Sequence, residues 1–102
     1  MNDEKMRKEQ FSRTERLLGR ENMERLSSAR VAVFGIGGVG GHAMEALARS
    51  GIGALDLVDS DRVAVSNIDR QSIAYHSTVG RYKTEVMRER IREIDPDTVV
   101  ET

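Results

Sequence analysis

The chain has 102 residues, 38% hydrophobic and 32% charged, with a net charge of −1 at pH 7 and no cysteine. One soluble globular domain at most fits that length, and the near-zero charge gives no global pull towards nucleic acid or acidic membranes. Disulfides, thiolate metal sites and a catalytic thiol are excluded within the segment, and no run approaches the roughly 18 apolar residues of a membrane span, so the expected compartment is the cytoplasm.

Met1–Gln10 carries six charges in ten residues and no apolar core, which predicts a frayed, solvated tail ahead of a domain over residues 11–102. From Thr14 to Ser27, Leu17, Leu18, Met23 and Leu26 make a broken helical stripe interrupted at Gly19, which predicts two short helical pieces. Arg30–Phe34 (RVAVF) is a β-branched run ending at Gly35, as in a strand buried on both faces of a parallel sheet. His42–Ser50 is alanine-rich, with Met44, Leu47 and Ala48 on one side and Gly51 placed for a left-handed C-cap. Ala54–Val58 is the second strand. Val63–Thr78 lacks a sustained period and reads as a long ordered loop. Val79, Tyr82, Val86, Met87, Ile91 and Ile94 then form a helical stripe ended by Asp95-Pro96, and a third strand begins near Thr98.

Strand, glycine turn, helix and strand in that order give Gly35-Ile36-Gly37-Gly38-Val39-Gly40 the context of a G-x-G-x-x-G phosphate-binding turn. The first glycine permits the turn, the second lets backbone N–H groups approach a phosphate, and the third lets helix and strand pack closely. A helix N-terminus then offers the anion free N–H donors and a partial positive charge. Asp59 lies 19 residues beyond Gly40, where a carboxylate accepts hydrogen bonds from ribose hydroxyls. Without a ligand, the same glycines can serve a crowded turn and Asp59 can cap a loop.

An NAD-dependent oxidoreductase meets all of these conditions, but it has little use for extra cations, because the turn and helix end handle the diphosphate. This sequence supplies them. The loop SNIDRQ carries Asn67 and Arg70, and Lys83 sits in the next helix in VGRYKTE. Such heads suit a triphosphate: when a carboxylate attacks the α-phosphate, charge builds on the phosphoryl oxygens and on departing pyrophosphate, where a guanidinium can clamp and an ammonium can neutralise it. From placement alone, Arg70 is equally well a surface charge and Lys83 part of a solvated helix face. His42 and His76 are isolated from each other, so no metal site is expected. Arg88, Arg90 and Arg92 interleave with Glu85, Glu89 and Glu93, as on an ion-paired helix face rather than an RNA patch.

Taken together, GIGGVGG, LVDSD, SNIDRQ and VGRYKTEVMRERIREIDP resemble the adenylate-forming half of the ubiquitin-activating enzyme superfamily, which includes the bacterial sulfur-carrier adenylyltransferases. The resemblance runs from Phe11 to Thr102 and implies the N-terminal βαβ-α-β part of a Rossmann-like, three-layer α/β fold with a mostly parallel sheet. It implies that Gly35, Gly37, Gly38 and Gly40 face the nucleotide phosphates and Asp59 the ribose, while Asn67, Arg70 and Lys83 bind phosphates, with Arg70 and Lys83 as electrostatic catalysts. Arg13, in FSRTE, resembles an arginine that reaches the γ-phosphate from a partner subunit. Within the superfamily, RTERLLG and GIGALDLVDSDRVAVSNIDRQ are most similar to the tRNA threonylcarbamoyladenosine dehydratases. These activate a carboxylate with ATP as an acyl-adenylate and close a ring with loss of AMP. A carrier-protein adenylyltransferase acting on the C-terminal glycine of a ubiquitin-like protein is the alternative. In both cases the family's Mg²⁺-binding aspartate and acyl-acceptor pocket are expected beyond Thr102, so an N-terminal fragment with little activity of its own is expected. In a 3-2-1-4-5 strand order RVAVF would be central; with no fourth strand it becomes an exposed edge, which predicts coverage by a second copy in a homodimer.

Overall fold

The computed structural model describes residues 2–102. Its elements run α1 (Asp3–Gln10), α2 (Ser12–Leu18), α3 (Arg20–Ser27), β1 (Arg30–Phe34), α4 (Val39–Ser50), β2 (Ala54–Val58), a 3₁₀ turn (Val65–Asn67), α5 (Lys83–Ile94) and β3 (Val99–Glu101). The three strands form one parallel sheet in the order β1-β2-β3, with Arg30 opposite Ala54, Phe34 opposite Val58, and Ala54 opposite Val99. Successive right-handed crossovers that add strands in one direction return on the same side of a sheet. Accordingly α4 and α5 pack beside each other over one face, where Met44, Ala48, Met87 and Ile91 meet Leu55 and Leu57 in a fully buried core.

The opposite face is open, which corrects the expectation that RVAVF is buried on both sides. Burial alternates along β1, with Val31 and Val33 turned inward and Phe34 77% exposed. Val58 and Val99 are exposed on the other two strands, and an Arg30–Asp56 ion pair of 2.5 Å links β1 to β2. A β-branched run marks a strand but does not say how many helical layers cover it.

The N-terminal residues depart from the expected solvated tail. Asn2 caps α1 by accepting from the Lys5 N–H at 2.8 Å, and the acidic first turn and basic last turn suit the helix dipole. Arg7 ties α1 to the buried Asp95 at 2.5 Å, and the Gln10 amide donates to the Ile94 carbonyl at 2.7 Å. The helix buries none of its own residues, so an apolar-stripe reading has nothing to detect.

Gly19 (φ 85°) separates α2 from α3, and Gly51 (φ 98°) ends α4 in the left-handed conformation, as expected. Two boundaries differ. α4 begins at Val39 rather than His42, and α5 begins at Lys83, so Val79 and Tyr82 lie outside the helix. Tyr82 instead bridges Arg62 in antiparallel fashion and takes its guanidinium over the ring at 4.2 Å. The long loop before α5 is closed at its base by Val63 N–H to Arg81 O and Gly80 N–H to Val63 O, both 2.8 Å, and it buries Ile73 and Ala74.

Candidate nucleotide site

The carboxyl ends of β1 and β2 open onto the glycine turn. Gly35 (φ 91°) and Gly38 (φ 53°) need the freedom of glycine, and a Cβ on Gly40 would stand 1.9 Å from the Gly35 carbonyl oxygen. The turn therefore folds tightly onto the first residues of α4, whose N-cap, Gly38, offers no side-chain hydrogen bond. The Gly40 N–H is taken by the Gly37 carbonyl at 3.2 Å, while the Val39 and Gly41 N–H groups remain free donors at the positive end of the dipole.

Asp59 follows β2 and faces this turn. One carboxylate oxygen accepts from the Ile36 N–H at 2.8 Å and the other from the Asp61 N–H at 2.7 Å. The aspartate is thus a latch between the glycine turn and the end of β2, and it contacts any further donor with its remaining lone pairs. A cavity of about 680 Å³ sits here, lined by Gly35, Val58, Asp59, Ser60, Asp61 and Thr84 among others. Thr84 was not singled out in the sequence; its only signal there is its place directly after Lys83 in YKTE.

The four remaining candidates are placed differently. Lys83 opens α5, its backbone N–H donating to the Asp61 carbonyl at 3.1 Å. The residue is 6% exposed, and its ammonium makes no hydrogen bond or ion pair among the described residues. The stem is packed away, but the ammonium is not among the enclosed polar atoms that lack a partner, so the charged end is reached by water and can meet an anion. Asn67 is also buried and closes its own 3₁₀ turn, its side-chain oxygen accepting from the Ala64 N–H at 2.9 Å. Arg70 is turned to the loop's outer side, held by Asp69 at 2.8 Å and by the Ser66 carbonyl at 3.0 Å, with its side chain 59% exposed. Its guanidinium is not gathered with Asp59 and Lys83, and meeting a phosphate there means exchanging the Asp69 carboxylate for it.

Arg13 is not brought to the site of its own chain. It lies on α2, next to Phe11, whose ring packs beside Gly51 at the C-terminal end of α4. The glycine turn is at the other end of that 12-residue helix, about 18 Å away at 1.5 Å per residue.

Comparison with known proteins identifies the family and the fold. The ThiF family model matches residues 11–102. The tRNA threonylcarbamoyladenosine dehydratase of Bacillus subtilis is 50% identical over 91 residues, 89% of this chain and 36% of that protein. The molybdopterin-synthase adenylyltransferase of Salmonella typhimurium is 42% identical over 80 residues, 78% of this chain and 32% of that protein. Among solved structures, the Escherichia coli tRNA N6-threonylcarbamoyladenosine dehydratase in complex with ATP superposes with a TM-score of 0.90 at 48% identity, covering 92% of this chain and 39% of that one. The chain thus spans about a third of the length of the curated relatives it matches. Its parallel β1-β2-β3 sheet corresponds to the N-terminal Rossmann-like part of those structures. On the match across residues 11–102, the chain belongs to the ThiF family.

Proposed function

We propose that this chain is the ATP-binding segment of an adenylate-forming enzyme whose substrate is the carboxylate of threonylcarbamoyladenosine in tRNA. The observation that carries the ATP reading is Lys83, a cation without an anionic partner whose backbone is tied to Asp61 and which precedes Thr84, both on the cavity that Gly35 and Asp59 line. The tRNA assignment is supported by the 50% identity to the Bacillus subtilis dehydratase against 42% for the molybdopterin-synthase adenylyltransferase. A ubiquitin-like carrier is therefore the second substrate reading.

In the proposed reaction a carboxylate oxygen attacks the α-phosphorus, the bond to the β-phosphate oxygen breaks, and pyrophosphate leaves with the electron pair. The free N–H groups at the start of α4 and the Lys83 ammonium oppose the growing negative charge. Arg70 joins them by releasing Asp69, and Asn67 contributes its amide N–H donors. Intramolecular attack on the acyl-adenylate then closes the ring and releases AMP. Arg13 serves a second copy of the chain, because its own glycine turn is a helix length away; a homodimer follows. Among the described residues no group of three or more His, Cys, Asp or Glu side chains could hold a metal ion. Mg²⁺ needs only one or two carboxylates beside the substrate phosphates, and the family resemblance places its aspartate ligand beyond Thr102.

Calorimetry with ATP and NAD tests the nucleotide. ATP should bind and NAD should not; tight NAD binding with no response to ATP refutes the proposal and restores the oxidoreductase reading. ATP–pyrophosphate exchange dependent on threonylcarbamoyladenosine-containing tRNA, measured in a protein of the relatives' length carrying this segment, tests the substrate. Exchange dependent instead on a ubiquitin-like carrier transfers the assignment to the second reading.

A further inference from the structure

The glycines of the turn are required for different reasons. Gly35 and Gly38 have positive φ, and Gly40 faces a backbone carbonyl. Gly37 has neither feature: its φ is not positive, and the three atoms nearest to a Cβ built there all belong to Gln71. They are Nε2 at 2.7 Å, Cδ at 3.1 Å and Oε1 at 3.2 Å. The carboxamide thus lies across the Cα of Gly37 and fills the space a side chain would take. Around Gly35 and Gly38 that space is open, with no atom within 4 Å of a built Cβ.

Gln71 is anchored to do this. Its backbone N–H donates to the Asn67 carbonyl at 2.9 Å, and its carbonyl accepts from the Ala74 N–H at 3.0 Å. Its Oε1 is buried without a donor, as is the neighbouring Ser72 Oγ, which lies 3.7 Å from a Cβ built on Gly41 in the first turn of α4. Buried acceptors without donors are uncommon because they lose water and gain nothing. The unpaired Oε1 therefore marks a carboxamide placed by packing rather than by its own hydrogen bonds.

We propose that Gln71 is a positioning residue for the phosphate-binding turn: its carboxamide braces Gly37, so that the following peptides keep their N–H groups aimed over Gly35 and Gly38, where the approach is open. The proposal rests on the ATP reading for its functional consequence, but the brace itself exists in the nucleotide-free chain. A Cβ at position 37 would then have to push aside the end of a side chain 34 residues later, and the two positions act as a pair.

The test uses Gln71→Ala, Gly37→Ala and the double variant, each read by amide hydrogen exchange without nucleotide, by ATP calorimetry and by urea unfolding. Gln71→Ala should speed exchange at Gly40, whose N–H donates to the Gly37 carbonyl at 3.2 Å, and weaken ATP binding, each by about tenfold, with the unfolding midpoint nearly unchanged. Gly37→Ala alone should weaken ATP binding more, and the double variant should recover part of that loss, as expected of coupled neighbours. Unchanged exchange at the turn in Gln71→Ala, or additive losses in the double variant, would overturn the brace. Gln71→Met fills the same space without the amide and should keep the turn protected; fast exchange there would also overturn it. If the wild type fails to bind ATP while Gln71→Ala still loosens the turn, the brace stands and only the nucleotide reading falls.

Discussion

Removing the Asp59 carboxylate should cost stability as well as affinity, although a ribose-binding role alone would predict only the second. Ile36 is fully buried, and its N–H donates to Asp59 at 2.8 Å. In Asp59→Ala that donor loses a charged acceptor and has little access to water, a loss of about 1.5–3 kcal/mol. The Asp61 N–H at 2.7 Å is exposed, so water replaces most of its bond and adds only about 0.5 kcal/mol. The sum is about 2–3.5 kcal/mol, or roughly 8–28 °C in Tm for a chain of this size. Asp59→Asn keeps one acceptor but turns an NH₂ group towards the other donor, so it should lie between wild type and Ala. Urea and thermal unfolding followed by far-ultraviolet circular dichroism measure both variants, and ATP calorimetry at a temperature where they remain folded separates affinity from stability. A loss below about 0.5 kcal/mol for Asp59→Ala would refute the latch, since a buried N–H stripped of its acceptor cannot be that cheap.

Arg70→Ala should do the opposite: its exposed pair with Asp69 is of the kind that contributes little, so the unfolding midpoint should stay put while ATP–pyrophosphate exchange falls about a hundredfold in a protein of the relatives' length. Gly40→Ala drives a Cβ to within 1.9 Å of the Gly35 carbonyl oxygen, and calorimetry should show no ATP binding even where circular dichroism retains helix. Arg7→Ala leaves Asp95, 1% exposed, with only the Thr98 hydroxyl and the Asp97 N–H; α1 should detach, seen as lost helical signal and new proteolytic cleavage within residues 3–10. The Arg90 guanidinium, aided by Arg49, holds the Glu45 carboxyl below its ordinary value of 4.5, so its stabilisation is complete above about pH 4.5 and is lost as pH falls through the lowered value. Glu45→Gln should therefore lose less stability than wild type between pH 6 and pH 3, and parallel acid limbs would refute that assignment.

Elements with a strong apolar period were legible in the sequence, and those held by polar contacts were not. RVAVF, ALDLV and the Met44/Ala48 stripe announce β1, β2 and α4 because burial on one sheet face selects those side chains. Gly19 and Gly51 announce breaks because their backbone conformations exclude most other residues. α1 has no such signal, since its stability comes from the Asn2 cap and from Arg7 reaching Asp95, 88 residues away. Tyr82 misleads in the other direction: its spacing continues the α5 stripe, but its ring is engaged by Arg62 before the helix begins.

The site divides along the same line. The glycine spacing locates the turn because it is local, and Asp59 follows because the second strand must end beside the first. What holds the turn in shape is not local. Asp59 does so through a backbone N–H 23 residues earlier, and Gln71 does so through a contact with Gly37, so neither role has a spacing to recognise. The cations show the converse. Motif order groups Arg13, Arg70 and Lys83, but of the three Lys83 alone has its backbone tied to a cavity residue, because α5 must start where Asp61 receives its backbone N–H. Arg70 sits on a loop that satisfies it locally, and Arg13 is carried to the far end of α4. A motif therefore identifies which residues a nucleotide can recruit, whereas the fold determines which are already in position and which must move or arrive from another copy of the chain.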